Sequence, residues 1–225
     1  MPNSGFSVLL SVNNMRRLMI GLGGTLEIAL LSVAISVVAG LFYGLLMTSK
    51  NRVIYGICRV YLEAFRIVPM LVWLFLLFFG SAIAFGTNLD GFFVSVVAFS
   101  MWGTAEMGDI VRGSLISIPQ HQRQSGEALG LSFWQTQRFI IIPQALRRIA
   151  PSAINLITRM VKTTSLVVFV GVTEILRVGK QIIEFNMMTN PMASFWIYGF
   201  IFAAYFMVCY PISKLSKKLE AKWSY

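Results

Sequence analysis

The sequence predicts an all-α integral membrane protein with about five transmembrane helices and a polar cytoplasmic segment set among them. Three observations carry that prediction. Only 12% of the 225 residues are charged and 56% are hydrophobic, with a mean hydropathy of +0.72, whereas a soluble domain of this length carries about 25% charged residues. Five apolar stretches each approach the ~20 residues that a helix needs to cross ~30 Å of hydrocarbon. None shows the period-two alternation of barrel strands, so helices must satisfy the backbone in lipid.

The first stretch, 26–47 (LEIALLSVAISVVAGLFYGLLM), contains Gly40 and Gly44, a small-xxx-small step that predicts close helix packing. Arg16 and Arg17 mimic the charged start of a secretory signal, but the apolar run after them is too long and lacks a small-residue cleavage site. The second, 67–86, follows an amphipathic elbow. There Glu63 and Arg66, three residues apart, predict an i,i+3 ion pair.

The third, 92–111, and the fourth, 149–172, are less apolar because they hold Glu106, Asp109, Arg159 and Lys162. Residues 173–192 begin as an amphipathic helix suited to the outer surface, either beneath a partner or buried in the interface. The fifth stretch is 193–212. Cys58, expected in a basic loop, and Cys209, within a span, read as free thiols. His121 is the single histidine and a poor metal ligand on its own.

The net charge of +10 is a topology signal rather than a nucleic-acid footprint. Twelve basic residues fall in the connection after the first stretch, the one after the third, and the tail after the fifth; four fall on the other side. Short loops rich in Lys and Arg stay in the cytoplasm. The C-terminus is therefore expected inside and the N-terminus outside.

The longest inner connection holds a compact element at 120–143. Pro119 breaks the arriving helix, and 120–129 (QHQRQSGEAL) suits a short helix in water. Gly130 can adopt positive φ and end it. Ser132 then caps a second helix over 133–142, which Pro143 interrupts. Leu129, Leu131, Phe133 and Trp134 cluster about the glycine, and such apolar groups need a protein surface to cover them. The element reads as a docking site for a soluble partner.

Its spacing resembles the EAA loop of the inner-membrane subunits of binding-protein-dependent ATP-binding-cassette importers: Glu-Ala-Ala, three residues, Gly, nine residues, Ile-x-Leu-Pro. Gln124, Ser125 and Gly126 occupy the Glu-Ala-Ala slot, Gly130 the glycine, and Ile140, Ile142 and Pro143 the ending. The spacing is kept, while Gln124 replaces the glutamate and Ile142 the leucine. Other stretches resemble the polar amino-acid branch of that family, the histidine, glutamine and glutamate permease type. These are YLEAFRIVPMLV (61–72), GDIVRGSLISIPQHQ (108–122), IIPQALRRIAP (141–151), KTTSL (162–166) and GGTLEIALLS (23–32), in order along nearly the whole chain.

The resemblance implies a single permease domain over 1–225, with the fold of a type I importer's transmembrane part, in a bacterial inner membrane. It implies three protein partners: a cytoplasmic ATPase dimer holding ATP and Mg, a second permease subunit of the same or related sequence, and an external substrate-binding protein. Gln124, Ser125, Gly126, Ala128, Leu129, Gly130, Leu131 and Pro143 would then form the ATPase-coupling element. The residues agree independently that the energy source lies elsewhere. No Gly-x-x-x-x-Gly-Lys-Ser/Thr loop occurs, and neither a Ser-His-Asp arrangement nor a metal cluster points to an enzyme.

Ionisable groups within a span mark a pathway or a paired structural site. At ~1.5 Å per residue, Met101 falls near mid-depth of the third span and Glu106 about 6 Å further in. On the fourth, Asn155, Thr158, Arg159 and Lys162 share one side. One reading has Met101, Glu106, Asn155 and Arg159 bordering the path of a zwitterionic amino acid. The other is an ion pair of Glu106 or Asp109 with Arg159 or Lys162 that only neutralises buried charge. Two competing functions are an importer of another small solute and a channel or secondary carrier that works without an ATPase.

Overall fold

The computed structural model describes residues 5–87 and 89–223, and among these it contains helices and no strand. The helices are α1 (Phe6–Leu10), α2 (Val12–Leu46), α3 (Arg52–Ile67), α4 (Met70–Phe85), α5 (Gly91–Ile116), α6 (Gln120–Ala128), α7 (Phe133–Thr136), α8 (Ile142–Thr163), α9 (Ile175–Asn186) and α10 (Ala193–Trp223). A π turn, Gln137–Ile141, joins α7 to α8, and a 3-10 segment, Thr164–Val170, follows α8.

Helix α2, the helical run Phe133–Val170 and helix α10 are each long and apolar enough to cross a membrane. Helices α3 and α4, taken as one broken span, raise the number to as many as four. Helix α5 has the length, at 26 residues, but its polar groups, Glu106 among them, keep it below that apolarity. Three boundaries differ from expectation. Helix α2 begins at Val12 rather than near residue 26, so Arg16 and Arg17 are helical. The second span starts at Met70, because Val68 is extended (ψ 128) in the conformation that a following proline demands. Cys58 lies on α3 and is buried, not in a loop.

Pro143 does not interrupt the helix as expected. The π turn before it shifts the ladder by one residue, with the Ile142 N–H donating to the Gln137 carbonyl. Proline carries no N–H and crowds the carbonyl four residues back, and the widened turn absorbs both defects. The helix therefore runs on to Thr163, past Pro151 as well.

By its contacts the chain divides into two compact units. The first comprises residues up to Ser32, Met70–Phe99 and Arg159–Pro211. Its core forms where Ile175, Val178 and Ile182, on one face of α9, meet Leu18 of α2 and Ile197 and Ile201 of α10. A Cβ at Gly179 would lie 2.5 Å from Ile201 Cδ1, so a larger residue there would have to displace the tip of that side chain. The amphipathic helix expected at an outer surface thus has its apolar face covered by its own chain. Glu174 caps α9, accepting from the Leu176 N–H at 2.8 Å and the Arg177 N–H at 2.6 Å while fully buried. Burial pushes its carboxyl above the ordinary 4.5, and the two N–H donors oppose that shift.

The second unit comprises Val33–Pro69, Ser100–Thr158 and the residues from Ile212 onward. Here the Gly40–Gly44 step performs the packing expected of it. A Cβ at Gly40 would lie 2.5 Å from Met107 Cβ, and one at Gly44 would lie 2.5 Å from Val111 Cβ and 2.7 Å from the Gly108 carbonyl oxygen. The Ser36 hydroxyl donates to the Ser100 carbonyl at 3.3 Å along the same α2–α5 contact. The Asn51 side chain caps α3 by accepting from the Val53 and Ile54 N–H groups.

Candidate functional site

The polar connection folds into a helical hairpin whose turns are set locally. Helix α6 ends in a Schellman motif: the Leu131 N–H donates to the Gly126 carbonyl at 3.0 Å and the Gly130 N–H to that of Glu127 at 2.9 Å. Gly130 stands at φ 73, with open space where a Cβ would be, so the backbone and not the packing requires glycine. Ser132 then starts α7 with a capping box. Its N–H donates to Gln135 Oε1 at 2.8 Å, and its hydroxyl accepts from the Gln135 N–H at 3.4 Å.

Gly126 holds the hairpin closed. It is buried, and a Cβ there would lie 2.9 Å from Thr136 Oγ1 and 3.2 Å from Ile140 Cδ1. The opposite face of the hairpin is open. Leu129 is 78% exposed, Phe133 65% and Trp134 78%, with the two rings edge to face at 5.4 Å. Gln124, Ser125 and Ala128 are exposed beside them, while Leu131 and Pro143 are half-buried. A cavity of about 550 Å³ between Leu45, Ile116, Arg123, Phe133 and Gln137 opens on this element. Seven of the eight residues named from the sequence therefore belong to one short, well-capped hairpin with an apolar outer face, and Pro143 lies at the start of α8.

The charged residues nearby form a second feature. Arg66 of α3 donates through Nη2 to Asp109 Oδ2 at 2.6 Å and through Nε to Glu106 Oε1 at 3.3 Å. Arg112 holds the other oxygen of Asp109, through Nη2 at 2.7 Å and Nε at 2.9 Å. The expected Glu63–Arg66 pair is not made. Glu63 pairs with Arg59 at 2.7 Å, one helical turn back, because Arg66 is drawn to two carboxylates on α5. Beside this network the Tyr61 hydroxyl donates to the Met101 carbonyl at 2.7 Å.

Of the path residues named from the sequence, Met101 and Glu106 are thus tied to α3, whereas Asn155 and Arg159 are exposed and four residues apart on α8. Sequence reading missed the roles of Arg66, Arg112 and Thr136. Arg66 lay within a family-like stretch, but its partners are 40 and 43 residues away in the chain.

Residues 36–216 match the family described as binding-protein-dependent transport system inner membrane component. The chain belongs to this family. Among similar members, the probable amino-acid ABC transporter permease protein YckA of Bacillus subtilis is 30% identical over 98% of this chain and 95% of its own. The glutamine transport system permease protein GlnP of Escherichia coli is 32% identical over 88% and 89%. In three dimensions the chain superimposes on a subunit in the crystal structure of an amino acid ABC transporter with histidines. The TM-score is 0.84 at 29% identity, covering 95% of this chain and 97% of that one. A chain of the MetNI methionine ABC transporter gives 0.73 at 18% identity over 93% and 99%, a likeness of fold.

In this inner membrane component the EAA-like segment presents exposed apolar side chains on a capped element.

Proposed function

We propose that the chain is the transmembrane subunit of an ATP-driven importer that moves a polar amino acid from an external binding protein into the cytoplasm by alternating access. The observation that carries this reading is the hairpin of α6 and α7, with Leu129, Phe133 and Trp134 exposed on a Schellman- and box-capped frame. Burying three such side chains against a partner is worth roughly 1.5–3 kcal/mol each relative to exposure, enough to anchor a soluble subunit. The relatives carry amino-acid and glutamine transport in their names, which supports the substrate class.

In this proposal the docked partner is a pair of ATP-binding-cassette ATPases that hold ATP and Mg. A second permease, identical or related, completes the path. The N-terminus lies outside and the C-terminus in the cytoplasm, by the distribution of Lys and Arg. Closure of the ATPase pair moves the hairpin, and its stiffness passes that motion into α8 through the π turn without a break in the helix.

The path itself is proposed to run past Met101, Glu106, Asn155 and Arg159. A carboxylate and a guanidinium match the ammonium and carboxylate of a zwitterion. Glu106→Lys would then change uptake without weakening ATPase binding; loss of folded protein instead would favour a purely structural ion pair.

The deciding experiment is purification of the tagged chain from its host in mild detergent, with a Gly130→Asp variant in parallel. Aspartate at φ 73 strains the turn that presents the apolar face. A cytoplasmic ATPase that accompanies the wild type and is absent with the folded variant supports coupling through the hairpin. Absence of any ATPase from both would return the channel or carrier reading.

A further inference from the structure

A second cavity, of about 210 Å³, lies between the start of α8 and the end of α10, lined by Arg147, Arg148, Pro151, Ser152, Glu220 and Trp223. The two helices are stitched there by the Ser216 hydroxyl, which donates to the Pro151 carbonyl at 2.8 Å while buried. The cavity falls where the apolar run of α8 begins. Arg147 and Arg148 immediately precede the stretch 149–172, and Glu220 and Trp223 follow the stretch 193–212. The start of the α8 stretch therefore sets Arg147 and Arg148 at the depth of lipid headgroups, whichever side of the membrane that is, and Glu220 and Trp223 of α10 line the same cavity. An indole at that depth is where an interfacial tryptophan belongs.

The lining charges are held apart. No ion pair joins Glu220 to either arginine among the described residues, and Arg147, Ser152 and Glu220 have no side-chain hydrogen bond there. Arg148 uses only Nη1, on the carbonyl and hydroxyl of Ser117 at 2.9 and 2.7 Å, and a guanidinium has five N–H donors. The space far exceeds what one water requires. Two cations and a hydroxyl on one side with a carboxylate on the other suit a ligand that carries both an oxyanion and an ammonium.

We propose that this cavity binds the headgroup of a phospholipid bearing a phosphate and a primary amine, such as phosphatidylethanolamine. The arginines and Ser152 take the phosphate oxygens, Glu220 accepts from the ammonium, and Trp223 packs beside the glycerol region. The observation is independent of which solute the importer carries.

The test is native mass spectrometry of the chain released from nanodiscs that contain equal phosphatidylethanolamine, phosphatidylglycerol and phosphatidylcholine. Wild type is compared with Glu220→Gln, Arg147→Gln and Lys222→Gln, the last outside the cavity lining. The substituted side chains are all exposed, and size-exclusion profiles confirm folding. The expected result is preferential retention of phosphatidylethanolamine by wild type and Lys222→Gln. Glu220→Gln should lose that preference by about tenfold, as for one charge-assisted hydrogen bond, and Arg147→Gln should lose bound lipid of every class. Preference for phosphatidylglycerol would overturn the amine contact. Identical lipid patterns in all four proteins would show a lipid belt only and overturn the site.

Discussion

Arg66 Nη2 reaches Asp109 Oδ2 at 2.6 Å and so joins α3 to α5 across 43 residues of chain. The same guanidinium touches Glu106, and Arg112 completes the set around Asp109. Two carboxylates that are only 12% and 18% exposed are thereby held between two arginines. A buried carboxylate without a partner is costly, so the network fixes how the elbow helix lies on α5.

Replacing Arg66 with methionine removes an arginine partner of Glu106 and one of the two arginines that hold Asp109. Arg66 is 37% exposed, so solvent screening reduces the effect. The expected loss is about 1–2 kcal/mol. Thermal unfolding in detergent of Arg66→Met, Asp109→Asn and the double variant forms a cycle. A double variant more stable than the sum of the single changes supports the pair, and strict additivity would refute it.

Gly44→Leu places side-chain atoms where Val111 Cβ and the Gly108 carbonyl already sit. Overpacking of this kind costs about 1–3 kcal/mol, and a lowered melting temperature with aggregation on size exclusion is expected. Gly23→Ala is the contrast within the same helix. Nothing lies within 4 Å of a Cβ there, so alanine should stabilise α2 by about 0.5–1 kcal/mol.

Gly126→Val drives a branched side chain into Thr136 and Ile140, separating α6 from α7. The membrane helices should fold normally, while the amount of ATPase recovered with the chain falls at least about tenfold, the equivalent of ~1.4 kcal/mol of docking. Equal recovery from both proteins would separate hairpin closure from docking.

Glu174 sets a pH dependence. Its folded-state carboxyl lies above its unfolded value, so the folded protein binds more protons over the window that begins near 4.5. Stability from this group is complete below that pH and is lost as pH rises through the raised value. Arg177, Lys180 and Tyr205 are the charged or titratable groups that act on it. Melting temperature should therefore fall with rising pH more steeply in wild type than in Glu174→Gln. Parallel curves would exclude the carboxyl as the source.

The capped hairpin was legible before any coordinates because its geometry is local. The Schellman motif and the capping box connect residues no more than five apart, so Gly130 and Ser132 in the right spacing are sufficient instruction. The Gly40–Gly44 step was legible for a similar reason, since small residues at one helical face leave packing as the outcome. Pro143 misled because its local rule is to break a helix, and the π turn that ends two residues earlier, at Ile141, satisfied that rule in another way.

The sequence by itself determined the membrane-spanning class, the family spacing, and the ends of the helices around the polar hairpin. Each rests on composition or on hydrogen bonds within a turn or two. Only the tertiary structure decided that Arg66 leaves Glu63 for Asp109 and Glu106, and that the apolar face of α9 is covered by α2 and α10. It also decided that Gly126 lies against Thr136. Glu63 offered equal local geometry to Arg59 and Arg66, and the choice fell to whichever arginine had no better carboxylate elsewhere. Contacts between residues tens of positions apart depend on which helices pack, and packing is a property of the whole chain.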